Sequence, residues 1–346
     1  MIKNFIVLLS LLMNHLNKQL LFRILKIVVS IILIYILYLQ IVEAKGWVVF
    51  QNEFSKSNIS INYWYISFCI LLMPINWLLE ATKWKWLFST INPVTLKSSM
   101  ITVLVGNTFG VVTPARIGEY GGRIITSNID HKLGTVLATF IGSLTQNIWN
   151  ILNGVLFSYL YINSLLDVTY INSQVLFIGI VFQLIVMTGL LYYLPNIIKM
   201  IIDSKYFNNV FKANLQTENF SMLETRMINK VLGISLIRFC VYGFQYVLIL
   251  LAFGATSDTY LSLLAGISII YMIQTILPVP SLLSVITRGE IALLIWTKFG
   301  LTMPQALLSS YSIWLINLIF PAIIGAILMY TFDFKKIGID LEKSSD

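Results

Sequence analysis

The chain has 346 residues, of which 58% are apolar and only 11% charged, against roughly 25% charged in an average soluble domain. So few charges cannot coat a water-soluble protein of this size, which excludes a soluble enzyme, a disordered chain and, with two cysteines, a secreted disulfide scaffold. The net charge of +8 lies largely beside apolar runs, the placement expected of a polytopic membrane protein and not of a nucleic-acid binder.

Residues 1–20 carry Lys3 before the apolar stretch Phe5–Met13 but no small-residue cleavage site, so they read as an uncleaved, partly amphipathic extension, with Met13 a second candidate start. A membrane span needs about 20 apolar residues. Charge-free runs predict six of them, at about 22–42, 61–82, 135–161, 173–194, 230–253 and 305–331. Two further apolar segments differ. Lys97–Gly110 runs into Thr113-Pro114-Ala115-Arg116-Ile117-Gly118-Glu119, and Thr259–Leu277 runs into Pro278-Val279-Pro280 and then Thr287-Arg288-Gly289-Glu290. The first arm of the first segment has 14 residues, or ~21 Å of helix, too short for a ~30 Å hydrocarbon core. Both segments therefore read as re-entrant helical hairpins broken at proline; two full spans each, giving eight spans, is the alternative with the same parity.

Lysines and arginines concentrate before the first span, around the first hairpin, in the 195–229 loop and after the last span, which places both termini in the cytoplasm of a multi-pass inner-membrane protein. The 195–229 loop mixes Phe207, Phe211 and Leu215 with charges and reads as an interfacial connector. The order span, span, hairpin, span then occurs twice with an odd number of crossings per copy. The expected fold is an all-α polytopic membrane protein, one domain over 21–332, built as an inverted repeat (21–165 and 170–332) and followed by a cytoplasmic tail at 333–346.

Charges inside a membrane cost ~2.5–3.5 kcal/mol or more and so mark functional candidates. Arg116, Glu119 and Arg123 fall at i, i+3 and i+7, on one helix face. With Thr113 as N-cap and Pro114 as the first helical residue, Arg116 would stand in the first turn beside free backbone N–H groups, where an anion such as a phosphate is well held. A bland alternative is a capped helix with an Arg–Glu surface pair. Gly106, Gly110 and Gly118 would permit close backbone approach at this break, as Pro278 and Pro280 would shape the other. There, Arg288 and Glu290 repeat the Arg–Glu theme, although Thr287…Glu290 also fits a capping box. Gln146, Asn150 and Asn153 form a stripe that serves either as interhelical glue or as a hydrated headgroup path. Arg238 shares a face with Gln245 and needs a partner, for which Glu80, Glu119 and Glu290 are the candidates. Cys69 and Cys240 read as small buried hydrophobes. No nucleotide, zinc or nucleophile motif is present in the sequence, so neither a metal nor another cofactor is expected, and no enzymatic activity.

The stretch Gly106-Asn107-Thr108-Phe109-Gly110…Thr113-Pro114-Ala115-Arg116-Ile117-Gly118-Glu119…Arg123 resembles the signature of the lysylphosphatidylglycerol synthase transmembrane family, also called flippase-like, and with the span pattern the resemblance covers about 20–332. Ser281, Leu282 and Leu283 depart from it, standing where the family's second break carries glycines. A soluble aminoacyl-transferase segment is not expected, so lipid aminoacylation is not what the resemblance implies. What the resemblance implies is translocation of an anionic or modified membrane lipid between leaflets. The intramembrane charges Arg116, Glu119, Arg123, Arg238, Arg288 and Glu290 are the residues expected on the substrate. Rival expectations are a transporter of a small soluble anion, a membrane enzyme on a lipid-linked phosphate, and an accessory subunit. The expected partners are a phospholipid or lipid-linked phosphate, with a second copy of the chain or a lipid-pathway enzyme as further possibilities.

Overall fold

The computed structural model describes residues 59–113, 116–127, 132–161, 224–255, 260–277 and 284–331, with scattered helical positions between 174 and 200. The extension, the expected first span, both termini, most of the 195–229 loop and the three prolines Pro114, Pro278 and Pro280 lie outside the described residues. Within them the fold is all helical.

In chain order the helices are α1 (Tyr63–Phe88), α2 (Leu96–Val111), α3 (Gly118–Thr126), α4 (Lys132–Leu160), α5 (Thr225–Ala252), α6 (Tyr260–Ile276), α7 (Ser284–Lys298), α8 (Met303–Trp314), a π-turn (Leu315–Ile319) and α9 (Phe320–Thr331). Their starts carry side-chain caps. Asn62 accepts from Trp64 N–H at 3.1 Å and Thr95 from Ser98 N–H at 3.2 Å, while Gln305 reaches back to Thr302 N–H at 3.0 Å. α1 tolerates Pro74 because a helix in an apolar surround loses one backbone bond there and keeps the rest.

The burial pattern of α1 is inside out for a soluble protein. Trp64, Phe68 and Leu71 are 76%, 55% and 67% exposed, while Asn76, Glu80 and Lys83 are 0%, 5% and 1% exposed. Large apolar side chains outside and charges inside is the arrangement that a lipid solvent selects. Among the described residues α1, α5 and the continuous stretch Met303–Tyr330 are long and apolar enough to cross a membrane. α4, with 29 residues, matches them in length but carries Thr139, Thr145, Gln146, Asn150 and Asn153.

Helices stand at four of the expected span positions with shifted ends, three of them long and apolar enough to cross a membrane, and the largest shift is physical. α1 was expected to stop at 82, before Lys83; it continues to Phe88 because Lys83 is buried and paired, so its charge does not mark an exit from the apolar phase. The arms of the two broken segments, α2 with α3 and α6 with α7, each pack together. α2 and α6 have 16 and 17 residues, about 24–26 Å of helix.

Close packing ties the segments to the opposite ends of the chain. α2 lies on α9, α6 lies on α4, and α1 lies on α5. The α2–α9 seam has no spare volume: a Cβ at Gly325 would stand 2.2 Å from the Leu104 carbonyl oxygen and 2.4 Å from Thr108 Oγ1. Thr108 Oγ1 also donates to Ala322 O at 2.7 Å, a buried hydroxyl-to-backbone bond across the seam. Gly325→Ala should therefore destabilise the detergent-solubilised protein by about 1–3 kcal/mol, read as a melting temperature several degrees below wild type. An unchanged melting curve would mean that α9 does not press on α2 this closely.

Candidate functional site

Helical periodicity brings the buried polar groups to one place. Asn76, Glu80 and Lys83 (i, i+4, i+7) form one stripe of α1, and Arg238, Tyr242 and Gln245, with the same spacing, form one stripe of α5. The α1–α5 contact faces them together. Glu80 is the hub: its carboxylate accepts from Lys83 at 2.7 Å, Arg238 at 2.8 Å and Arg123 at 3.1 Å. Arg238 also donates through Nε to Asn76 Oδ1 at 2.8 Å and through an η-nitrogen to Tyr242 OH at 3.2 Å. Asn76 in turn donates to Gln245 Oε1 at 3.2 Å, and Gln245 to the Cys69 carbonyl at 2.9 Å. Lys83 completes its shell on the Gly142 carbonyl of α4 at 2.9 Å. Buried ions survive only when so paired and bonded.

The network runs on into α3. Arg123 pairs with Glu119 as well as Glu80, and Glu119 pairs with Arg116 at 2.9 Å. Arg116 also donates to Asn107 Oδ1 of α2 at 3.0 Å. Its side chain is 45% exposed, against 1% for Arg123. Its backbone sits at φ 57°, in the left-handed region that a non-glycine residue occupies at a cost. The turn is held by Thr113, whose Oγ1 accepts from Gly118 N–H at 2.7 Å and donates to the Phe109 carbonyl at 2.9 Å. A Cβ at Gly118 would meet that same carbonyl at 2.4 Å, so the position requires glycine.

Arg116 and Glu119 open onto a cavity of about 520 Å³ whose far wall belongs to the second broken segment. Arg288 of α7 lines it, with one η-nitrogen bonded to Gln274 Oε1 of α6 at 2.9 Å. Described residues of both broken segments thus face one cavity. Glu80, Lys83 and Arg238 line it too, as do Tyr271, Gln146 and Asn317. Asn107 reaches the π-turn from the other side, donating to the Leu318 carbonyl at 3.0 Å. π-turns break the regular bonding ladder and recur at functional positions.

Of the six expected substrate residues, Arg116, Glu119, Arg238 and Arg288 line the cavity. Arg123 does not; it sits behind, buried between two carboxylates, as a positioning group. Glu290 is exposed and does not line it either, because α7 turns that side away. Among the glycines and prolines expected at the breaks, Gly110 lines the cavity and Gly106 packs where a Cβ would meet Arg123 Cγ at 2.7 Å.

Three local expectations are corrected. α3 begins at Gly118, not at Pro114, so Arg116 precedes the helix instead of standing in its first turn. Thr113 still caps, but by reaching five residues forward. α7 begins at Ser284, which puts Thr287 inside the helix and removes it as the N-cap of a box with Glu290. Cys240 is exposed on α5, and only Cys69 is buried. For Arg238, Glu80 is the partner among the three acids considered. The α4 stripe divides: Asn150 bonds Thr275 Oγ1 of α6 at 3.0 Å, as glue, while Gln146 and Asn150 also line the cavity.

Sequence reading missed Lys83, Asn76, Asn107, Tyr271 and Asn317. The i, i+3 spacing from Glu80 was a usable signal for Lys83. The i, i+4 spacing to Glu80 was likewise a signal for Asn76, whereas an isolated asparagine or tyrosine in an apolar run carries none. Among the described residues no group of three His, Cys, Asp or Glu side chains is placed to hold a metal ion.

A model of the family described as the lysylphosphatidylglycerol synthase TM region matches residues 23–325. No curated protein and no solved structure matches the chain.

Proposed function

The chain belongs to the lysylphosphatidylglycerol synthase TM-region family, and from that premise we propose that it is a lipid translocase that carries an anionic headgroup through the cavity between its two broken segments. It is a membrane protein, and the family relates it to lipid metabolism. The observation that carries the reading is the convergence of Arg116 and Arg288, one from each broken segment, on a single cavity of about 520 Å³. A headgroup bound there would be held by guanidinium groups suited to phosphate, while its tails stay in lipid.

The two segments act as re-entrant hairpins of an inverted repeat. Exchanging the halves maps α1 onto α5, α2–α3 onto α6–α7 and α4 onto α8–α9. The packing of α2 on α9 and of α6 on α4 then becomes one contact seen twice, which supports this arrangement. Rocking one half against the other would open the shared cavity to each leaflet in turn. Both termini would face the cytoplasm of the inner membrane. The role is transport and not catalysis: Glu80 and Glu119, the carboxylates of the cavity wall, are each bonded to cations, so neither is placed as a general base.

In vesicles containing the purified protein and acyl-labelled phosphatidylglycerol, we expect inner-leaflet label to become accessible to an impermeant quencher. Protein-free vesicles should keep close to half of it protected. Equal protection in both vesicle types, with the protein folded, would remove the translocase reading.

A further inference from the structure

The cavity has a surplus of positive charge and a separate surplus of neutral hydrogen-bonding groups. Among the described residues four cations line it (Lys83, Arg116, Arg238, Arg288) against two carboxylates (Glu80, Glu119). Beside them lie buried side-chain atoms with no hydrogen-bond partner: Arg288 Nε, the indole Nε1 of Trp77 and of Trp314, Gln146 Oε1, Tyr271 OH and both amide atoms of Asn317, a residue only 4% exposed. A buried polar group without a partner costs about 1–3 kcal/mol, so their gathering around one cavity calls for a ligand that completes them.

The types of these atoms specify that ligand. Arg288 Nε and the indole N–H groups of Trp77 and Trp314 only donate, and they suit the acceptor oxygens of a phosphate ester. The amide oxygens of Gln146 and Asn317 only accept, so the ligand must bring donors. A fully ionised phosphate has none. An ammonium has donors, but it would add to the existing positive surplus, and neither carboxylate of the wall is unpaired to receive it. Neutral donors remain, of which the hydroxyl is the simplest.

Resting on the translocase reading, we propose that the cavity selects a net-negative phosphate headgroup bearing hydroxyls and rejects aminoacylated, cationic headgroups. The phosphate pairs with Arg116 and Arg288, and the hydroxyls bond to Tyr271, Gln146 and Asn317. This makes Asn317 on the π-turn and Tyr271 on α6 the residues that distinguish one anionic lipid from another.

The test is binding of short-chain lipids to the full-length protein in detergent. The probes are phosphatidylglycerol (hydroxylated, anionic), phosphatidic acid (anionic, without a headgroup alcohol) and lysyl-phosphatidylglycerol (cationic headgroup). Wild type should bind phosphatidylglycerol at least tenfold more tightly than its lysyl ester. Tyr271→Phe and Asn317→Leu should each weaken phosphatidylglycerol about three- to tenfold, the worth of one neutral hydrogen bond, and leave phosphatidic acid within about twofold. Retained phosphatidic acid binding also shows that the variants are folded. Equal or tighter binding of the lysyl ester, or parallel losses for both anionic lipids, would overturn the proposal. Soluble glycerol phosphate binding as tightly as the lipid would uphold the headgroup chemistry and overturn the lipid source. If selective binding is found but no label crosses the vesicle membrane, translocation fails and the headgroup assignment stands.

Discussion

Glu80→Gln is expected to cost more stability than any other single substitution in the polar core. The carboxylate receives Lys83 at 2.7 Å, Arg238 at 2.8 Å and Arg123 at 3.1 Å, and its side chain is 7% exposed. Glutamine keeps the shape and hydrogen-bonding reach but removes the charge that three buried cations share. Arg123 retains Glu119, while Lys83 and Arg238 are left with neutral partners, the Gly142 carbonyl and Asn76 with Tyr242. Removing one partner of a buried ion pair costs about 3–5 kcal/mol, because the remaining charge stays desolvated. Two stranded cations place the substitution at the upper end of that range, with a melting temperature in detergent lowered by about 10 °C or more and a low folded yield. Glu80→Gln combined with Lys83→Met should recover part of the loss, since the second change removes one stranded charge, and the two effects should be clearly non-additive. A single variant that melts like wild type would show that the network does not hold α1, α3 and α5 together.

That network also shows what could be read from the sequence and what could not. Charge is scarce in this chain, so each charge in an apolar run carries information. Arg116 and Glu119, three apart beside a proline, were legible as a pair, and Arg238 was legible as a residue in need of an acid. The same scarcity misled at Lys83. A lysine at the end of an apolar run looks like a loop residue, and only its partner on another turn shows that it is buried. Boundaries at the breaks failed for a related reason. Thr113 and Pro114 are good helix-start residues locally, but tertiary packing of Gly118 against the Phe109 carbonyl delays the helix and leaves Arg116 at φ 57°. Asn317 was invisible because a π-turn has no sequence pattern of its own, and an isolated asparagine among leucines and isoleucines fits a glue role equally well.

Arg116 offers the sharpest separation of function from folding. Its side chain is 45% exposed toward the cavity, and Glu119 keeps Arg123 when it is lost, so the fold has little to lose with the guanidinium. Transport should lose a great deal. Two charge-assisted hydrogen bonds to a phosphate at about 1.5–3 kcal/mol each correspond to a loss of roughly 100-fold or more. Arg116→Ala should therefore abolish measurable lipid crossing while the protein still purifies folded. The backbone supplies an independent control. At φ 57° alanine stays strained, whereas glycine takes the conformation freely, so Arg116→Gly should be about 1 kcal/mol more stable than Arg116→Ala, with a higher melting temperature, and still fail to transport. Arg116→Lys keeps the charge but loses the fork that engages Asn107, Glu119 and the ligand together, and it should recover only a small part of the rate. If Arg116→Gly instead transports like wild type, the residue serves the turn alone. The anion-binding role would then fall to Arg288 on the opposite wall, and the two broken segments would not contribute equally to the site.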